Sequence, residues 1–521
     1  MLYILYNTRV MKNQTSPLSR DGQCESPWQQ GLTNLTQATK PNPDTVYDCL
    51  VIGGGITGIT AALLLQQAGK KIILADAYTI GFGTTGGTSA HINTFADTSY
   101  KDTESAFGEK GAKLFAEAVN GGLKLISDQV KQYNIDCDFA IKPGYIYAED
   151  DDQIKQLQNL YNGTVKVGVP IEYVTTVPVP IPYHKAVRLD GQAQFQPFKY
   201  LQAIAQEFVN AGGVILENTR IGEIISEGGL HTTDIQDGSI KAKSVIYATH
   251  YPSGINVFNF KCAPYRSYVI GVELADNAYP DALIYDLQEP YHYIRTHEAD
   301  GQRILLVGGN DHKTGHDDPA KAFADLETYT RKYYNVLSVK YSWSSQYYIP
   351  VDGLPYVGQM PMRADGIYCA TGYNGNGMML GSISAAILAD AILGKENSYA
   401  ELFSTKRIKP VDGFVEFVKE NADVAYHFVA DRLSVHETDS LKGLQPGSGE
   451  VVEFEGKKIA AYRDELGTLH ALSPVCPHAK CIVSFNAEEK SWDCPCHGAR
   501  FNIDGKILTG PAMHDLEKMD I

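Results

Sequence analysis

The chain has 521 residues, of which 44% are hydrophobic and 20% charged, with a formal net charge of −16 and a pI near 5.3. That length exceeds one hydrophobic core and predicts two or three domains. The acidity argues against nucleic acid and anionic membrane surfaces as partners, since both need basic patches; it reads as solubility, with steering of a basic redox partner as the alternative.

The chain offers no run of about 18 apolar residues, so no membrane span is expected. Leu2 to Tyr6 is too short for the apolar core of a secretory signal, and no twin-arginine pair precedes an apolar run. A cytoplasmic location is therefore expected. Residues 1–45, rich in Gln, Asn, Ser, Thr and Pro, read as a loosely ordered arm, and Met11 is a candidate start beside Met1. Five cysteines (Cys24, Cys49, Cys137, Cys262 and Cys369) are scattered, as in a reducing compartment. Four others (Cys476, Cys481, Cys494 and Cys496) fall within 21 residues and call for a metal or a local disulfide.

From Asp48 to Ile52 the chain reads as a buried parallel strand, Ile56 to Gln67 has helical spacing, and Lys71 to Ala75 is a second strand. Between the first strand and the helix lies Gly53-Gly-Gly55-Ile-Thr-Gly58, a G-x-G-x-x-G turn, and Asp76 follows 18 residues after Gly58. Gly53 makes the turn tight, Gly55 admits a pyrophosphate, Gly58 lets helix and strand pack, and the helix N-terminus favours the phosphate charge. Asp76 is placed to accept hydrogen bonds from ribose hydroxyls.

Further along, helices are expected over Glu104–Tyr133 and Phe198–Ala211. Strands are expected over Lys185–Leu189, Val214–Glu217, Ser244–Ala248 and Ile304–Gly308. A second glycine-dense stretch runs from Asp352 to Gly358 and from Gly366 through Gly372, Gly375 and Gly377 to Met378. A helix from Gly381 to Leu393 follows, stopped by Gly394. Backbone N–H groups at such a helix start can face the anionic edge of a flavin.

These segments, with the Gly83-Thr-Thr-Gly-Gly-Thr-Ser89 loop and Ala248-Thr249-His250, make residues 46–400 resemble the glycine oxidase and D-amino-acid oxidase class of FAD enzymes. The resemblance implies an α/β Rossmann-like FAD-binding domain with an inserted α+β substrate domain whose antiparallel sheet roofs the flavin. It implies amine or amino-acid oxidation by hydride transfer. The cofactor-binding residues it points to are Gly53, Gly55, Gly58, Asp76, Thr84, Thr85, Thr249, Asp352, Gly375, Gly377 and Met378. Relatives that bond the flavin to a histidine carry it where this chain has Gly87, so non-covalent FAD is expected. Arg266 and Arg295 are the candidates to hold a substrate carboxylate.

After a turn-rich linker from Leu441 to Gly449, short strands are expected at Val451–Phe454, Lys458–Tyr462 and Leu469–Leu472. Then Cys476-Pro-His478, 15 residues, and Cys494-Pro-Cys-His497 read as C-x-H…C-x-x-H. Two thiolates on one iron and two imidazoles on the other make a Rieske [2Fe–2S] cluster. The competing zinc reading is weak, because zinc fingers group their cysteines and histidines in separate blocks. The surroundings resemble Rieske proteins whose two loops are joined by a disulfide. That implies a Cys481–Cys496 bridge, with two free thiols as the alternative, and Gly510-Pro-Ala512 resembles their proline loop. High-potential members carry Ser and Tyr where this chain has Ala499 and Phe501, so a lower potential is expected.

The order of these parts matches a bacterial family of Rieske-containing FAD-dependent oxidoreductases; Gly308–Gly315 and Trp343–Gln346 look like that family's. The domains expected are the arm at 1–45, the FAD-dependent oxidoreductase at 46–430 and a small all-β Rieske domain at 431–521. Within the second, FAD binding falls at about 46–95, 190–255 and 350–400, and the substrate part at about 96–189 and 256–349. The expected function is oxidation of an amine or amino acid, N-methylated ones included, with electrons relayed through the cluster to a one-electron partner protein or other acceptor. The alternative is an electron-transfer protein with no metabolite of its own. His312-Lys-Thr-Gly-His316-Asp-Asp318 offers a weaker constellation, a mononuclear iron site with two histidines and one carboxylate; Asp317-Asp318-Pro319 reads better as a helix start. Tyr291, Tyr293, Tyr347 and Tyr348 are expected in the substrate sheet, mostly as core.

Overall fold

The structure is a computed structural model that describes residue 20, residues 24–29, 41–42, 44–407 except 237 and 300, and 441–520. Most of the expected arm, Met1, Met11 and residues 408–440 lie outside the described residues. The described part of the arm is packed rather than loose. Trp28 is buried and donates to the Thr88 carbonyl at 2.6 Å, and Ser26 donates to the Gly86 carbonyl at 2.7 Å.

Cys49–Ile52 and Ile72–Ala75 are buried at every position, which is why they read as unbroken apolar runs. They lie inside a six-stranded sheet in the order Tyr356–Gln359, Ile367–Thr371, Val245–Tyr247, Cys49–Ile52, Ile72–Ala75, Val214–Leu216. All joins are parallel except that of the first two strands. Helices Ile56–Gln67, Pro197–Asn210 and Gly377–Leu393 pack against it. The last ends at Gly394, whose φ of 68° makes the expected left-handed cap.

A second sheet runs Val336–Pro350, Cys262–Leu274, Gln302–Lys313, His292–Ala299, Leu283–Tyr285, Ala140–Ala148, Lys185–Gln194, His91–Ile92, with Glu172–Val174 as a side branch. It is antiparallel, as expected, except where Leu283–Tyr285 pairs in parallel with Ala140–Ala148. The Gly308–Gly309 pair makes room in it: a Cβ on Gly308 would lie 2.1 Å from the Tyr293 ring, which packs across that position. The helix Tyr100–Gln132 starts earlier than expected, because Ser99 caps it, and Gly108 breaks it. Helix Pro319–Tyr333 starts as expected, capped by Asp318.

The C-terminal part is all β: a three-stranded sheet (Gly449–Phe454, Lys457–Arg463, Leu469–Leu472) and a four-stranded one (Ser484–Asn486, Ser491–Asp493, Arg500–Asn502, Ile507–Thr509). Glu455 and Gly456, both with positive φ, turn the first hairpin. This part docks on the large sheet through buried charges. Glu489 sits between Arg266, at 3.2 Å, and Arg500, which also reaches Asp493 at 2.9 Å. No helix among the described residues is long and apolar enough to cross a membrane.

Candidate functional site

A Cβ on Gly53 would lie 2.4 Å from the Ala248 carbonyl oxygen, and one on Gly58 would lie 1.9 Å from that of Gly53. Only glycine lets the turn, the helix and the neighbouring strand approach this closely. Asp76 accepts from the Gly54 N–H at 2.6 Å and the Tyr78 N–H at 2.8 Å, and burial raises its pKa above the usual carboxylate range. Thr85 accepts from the Ile56 N–H at 3.1 Å, and Thr84 meets His250 Nδ1 at 3.0 Å. Gly53, Gly55, Asp76, Thr84, Thr85, Thr249, Gly377 and Met378 line one groove, with Gly58 packed beneath the turn, and Gly375 lines the cavity that adjoins it.

Asp352 does not belong to this group. Its carboxylate is held by Arg407 at 2.7 Å to each oxygen, and it lines neither the groove nor the cavity. A bidentate ion pair of this quality anchors the strand end instead. Gly87 leaves space for another residue: a Cβ there would overlap the Arg20 guanidinium at 1.8 Å.

The adjoining cavity shares Thr84, His250, Tyr373, Gly377 and Met378 with the groove. Its far wall is Ser267, Tyr285, Tyr291, Tyr293 and Tyr347, supplied by the large sheet and the segments entering it. Asp97 also lines it, and Asp311 stands behind Tyr347, whose hydroxyl donates to it at 2.8 Å. The arginines expected here are elsewhere. Arg266 points through the sheet to Glu489, and Arg295 is bound behind the wall to the Ser89 and Ala90 carbonyls at 3.0 and 2.8 Å. Neither lines the cavity, because each is committed to a buried partner that would be orphaned if it turned. Tyr348 packs beneath, stacked on Tyr251 at 4.5 Å.

The two C-terminal loops are conformational copies. The Cys476 N–H donates to the Cys481 carbonyl and the Lys480 N–H to the Cys476 carbonyl; Cys494 pairs likewise with Ala499 and Gly498 with Cys494. Lys480 and Gly498, at matching places, both have positive φ. The loops bring Cys476 and Cys494 into contact and set the His478 and His497 rings 4.9 Å apart. Nδ1 of each histidine is buried without a hydrogen-bond partner. Two orphaned imidazole nitrogens and two thiols in contact, carried on paired loops, fit a cluster that takes two ligands of each kind. Cys481 and Cys496 form a disulfide joining the loops. His312, His316 and Asp317 form no such group: among the described residues no metal-ligating cluster includes them, and His312 is bound to the Tyr268 hydroxyl at 2.9 Å.

The family model described as FAD dependent oxidoreductase matches residues 48–391, and that of the Rieske [2Fe-2S] domain matches residues 433–520. The chain belongs to the FAD dependent oxidoreductase family. It is an enzyme of the amine and amino-acid oxidase type; its oxidoreductase domain binds FAD and its Rieske domain a [2Fe–2S] cluster. It is 30% identical to the Rieske 2Fe-2S iron-sulfur protein YhfW of Bacillus subtilis, over 94% of this chain and 96% of that one. It is 22% identical to the gamma-glutamylputrescine oxidoreductase of Escherichia coli, over 76% and 95%. The fold is that of glycine oxidase from Geobacillus kaustophilus, with a TM-score of 0.58 at 20% identity over 70% of this chain and 99% of that one.

Sequence reading missed the residues where the two domains of this family member meet. Ile507–Gly510 and Ala512 of the Rieske domain form a wall of the groove built on the G-x-G-x-x-G turn. Gly254 donates to the Pro511 carbonyl at 3.1 Å and accepts from His478 Nε2 at 3.3 Å. Asn259 lies 3.4 Å from the same ring nitrogen. No periodicity marks such contacts, which join residues more than 200 positions apart. Asp97 and Asp311 were also missed, as isolated carboxylates in ordinary surroundings.

Proposed function

We propose that this enzyme oxidises an amine or amino acid by hydride transfer to FAD and passes the electrons one at a time through the Rieske cluster to an external acceptor. The proposed ligands are Cys476 and Cys494 on one iron and His478 and His497 on the other, with FAD held non-covalently. The observation that carries the relay is the shared segment. Thr249, His250, Tyr251 and Ser253 line the FAD groove, and Gly254, next in the chain, contacts His478. A two-electron flavin beside a one-electron cluster is the arrangement such a relay needs. The cavity next to the groove supports a small-molecule substrate over an electron-transfer module without one. Five buried thiols outside any disulfide (Cys24, Cys49, Cys137, Cys262 and Cys369) support a cytoplasmic location.

The test is an anaerobic reductive titration of iron-loaded protein followed by absorbance and EPR. About three electrons per chain, two for flavin and one for the cluster, and a Rieske-type signal are expected. Uptake of about two with no signal would reduce the reading to a plain flavin oxidase.

A further inference from the structure

The cavity beside the FAD groove has a charge pattern that narrows the substrate class. Among the described residues lining it there is no lysine or arginine. Its histidines are neutral: burial pushes His250 down to about 4, and burial with Arg295 behind it takes His91 well below the usual range. The charged group that lines it is an acid; the cations stand outside the lining, Arg295 acting on His91 and Tyr285 and Arg20 on His250. Asp97 faces the cavity, and Asp311 stands behind Tyr347, Tyr291 and Ser267 with Oδ1 buried and unpartnered. Tyr285, Tyr291, Tyr293 and Tyr347 surround the space. Their hydroxyls are oriented by neighbours, such as Tyr285 on Asn93 at 2.7 Å and Tyr293 on Ser267 at 2.9 Å.

A carboxylate brought here would lose its water, meet another carboxylate and find no cation on the cavity wall to pair with. An ammonium would gain aromatic faces and a charge-assisted partner. We propose that this cavity selects a cationic amine that carries no carboxylate beside the reacting carbon, held by Asp97, Asp311 and the ring of tyrosines. This deepens the amine-oxidising reading above and rests on it. In the reaction, R–CH2–NH3+ gives one N–H proton to a cavity carboxylate. Its C–H then leaves with both electrons to FAD, and R–CH=NH2+ remains for water to convert to aldehyde and ammonium.

The experiment uses the full-length, FAD-loaded protein under anaerobic conditions. It is titrated with n-butylamine, benzylamine and 1,4-diaminobutane, and separately with glycine, L-alanine and L-proline. Binding is read as perturbation of the flavin absorbance bands, and reduction as their bleaching. The amines are expected to perturb and bleach the bands and the amino acids to do neither at equal concentration. Asp311→Asn and Tyr347→Phe should raise the amine Kd about tenfold. The visible FAD spectrum of each variant reports that it has folded; should Asp311→Asn lose FAD, Tyr347→Phe carries the test. If the amino acids bind and bleach while the amines do not, this assignment is overturned and the amine or amino-acid oxidase reading stands. If neither class perturbs or bleaches the flavin, both are overturned. Amine binding that the variants leave unchanged would overturn the role of the carboxylates.

Discussion

His478 Nε2 lies 3.3 Å from the carbonyl oxygen of Gly254, across the boundary between the Rieske and FAD domains. The outer edge of an expected cluster ligand therefore adjoins the segment whose Thr249, His250, Tyr251 and Ser253 line the groove proposed for FAD. The second histidine is tied in too. The Tyr348 hydroxyl donates to the His497 carbonyl at 3.3 Å, while its ring meets His250 at 4.9 Å, and His250 lines both the groove and the cavity. The interface thus brings the two histidine loops and the proposed FAD groove onto the same few residues.

Replacing Tyr348 tests that route. Tyr348→Leu removes the ring between His497 and His250 and the hydroxyl that orients the ligand loop. Outer contacts of metal ligands commonly change activity 10- to 100-fold, so electron passage from reduced flavin to cluster should slow by about tenfold or more. Stopped-flow absorbance measures it, and the Rieske EPR signal should persist. An unchanged rate would remove Tyr348 from the path.

The cluster environment predicts its potential. Ala499 and Phe501 are buried in the core around Cys494, and neither side chain offers a hydroxyl to a cluster sulfur. The midpoint should lie toward the low end of the Rieske range of about −150 to +300 mV. Ala499→Ser and Phe501→Tyr should each raise it. A strongly positive midpoint in the parent protein would contradict the assignment.

Glu489 is the charge that binds the domains. It is fully buried, pairs with Arg266 and Arg500, and accepts hydrogen bonds from Ser344 and Asn486. Glu489→Gln keeps the shape and removes the carboxylate charge that both guanidiniums pair with. Breaking a buried pair this way costs about 3–5 kcal/mol. Thermal denaturation should show a lowered midpoint, and limited proteolysis should release the Rieske domain sooner.

How much of this was legible depended on the range of the contacts. The G-x-G-x-x-G turn, Asp76 and the two loops are local patterns whose residue types follow from what the backbone must do, such as Gly58 against the Gly53 carbonyl. The helix start at Asp318-Pro319 was legible for the same reason. Arg266, Arg295 and Asp352 were misassigned because an arginine or aspartate near a site reads alike whether it faces ligand or a distant partner. Arg266 meets its partner at Glu489, 223 residues on, and no local pattern announces that.

The cavity carboxylates set a pH dependence whose sign follows from their environment. Burial pushes Asp311 up to about 6 and Asp97 up to about 7, each above the ordinary value, and the charge of Asp311 raises Asp97 further. Asp97 lines the cavity and titrates above Asp311, so the two acids together ionise between about pH 6 and 7. Asp311 faces Ser267, Tyr291 and Tyr347, with His292 nearby; the two tyrosines are held protonated by burial. Below pH 6 the acid is neutral and an ammonium loses its partner; above it the charge is present. Affinity for n-butylamine should rise from pH 5 to 7 by about tenfold as Asp311 ionises, rise further to pH 8 as Asp97 follows, then level off until the amine itself deprotonates near 10. Without amine the sign reverses. The folded state holds a proton that the unfolded chain releases near 4, so stability falls as pH rises from 4 through 6. Bound amine should offset that loss. Flavin absorbance titrations and melting curves at pH 5, 6, 7 and 8 measure both trends, and a Kd that does not change between pH 5 and 7 would remove Asp311 from the binding site.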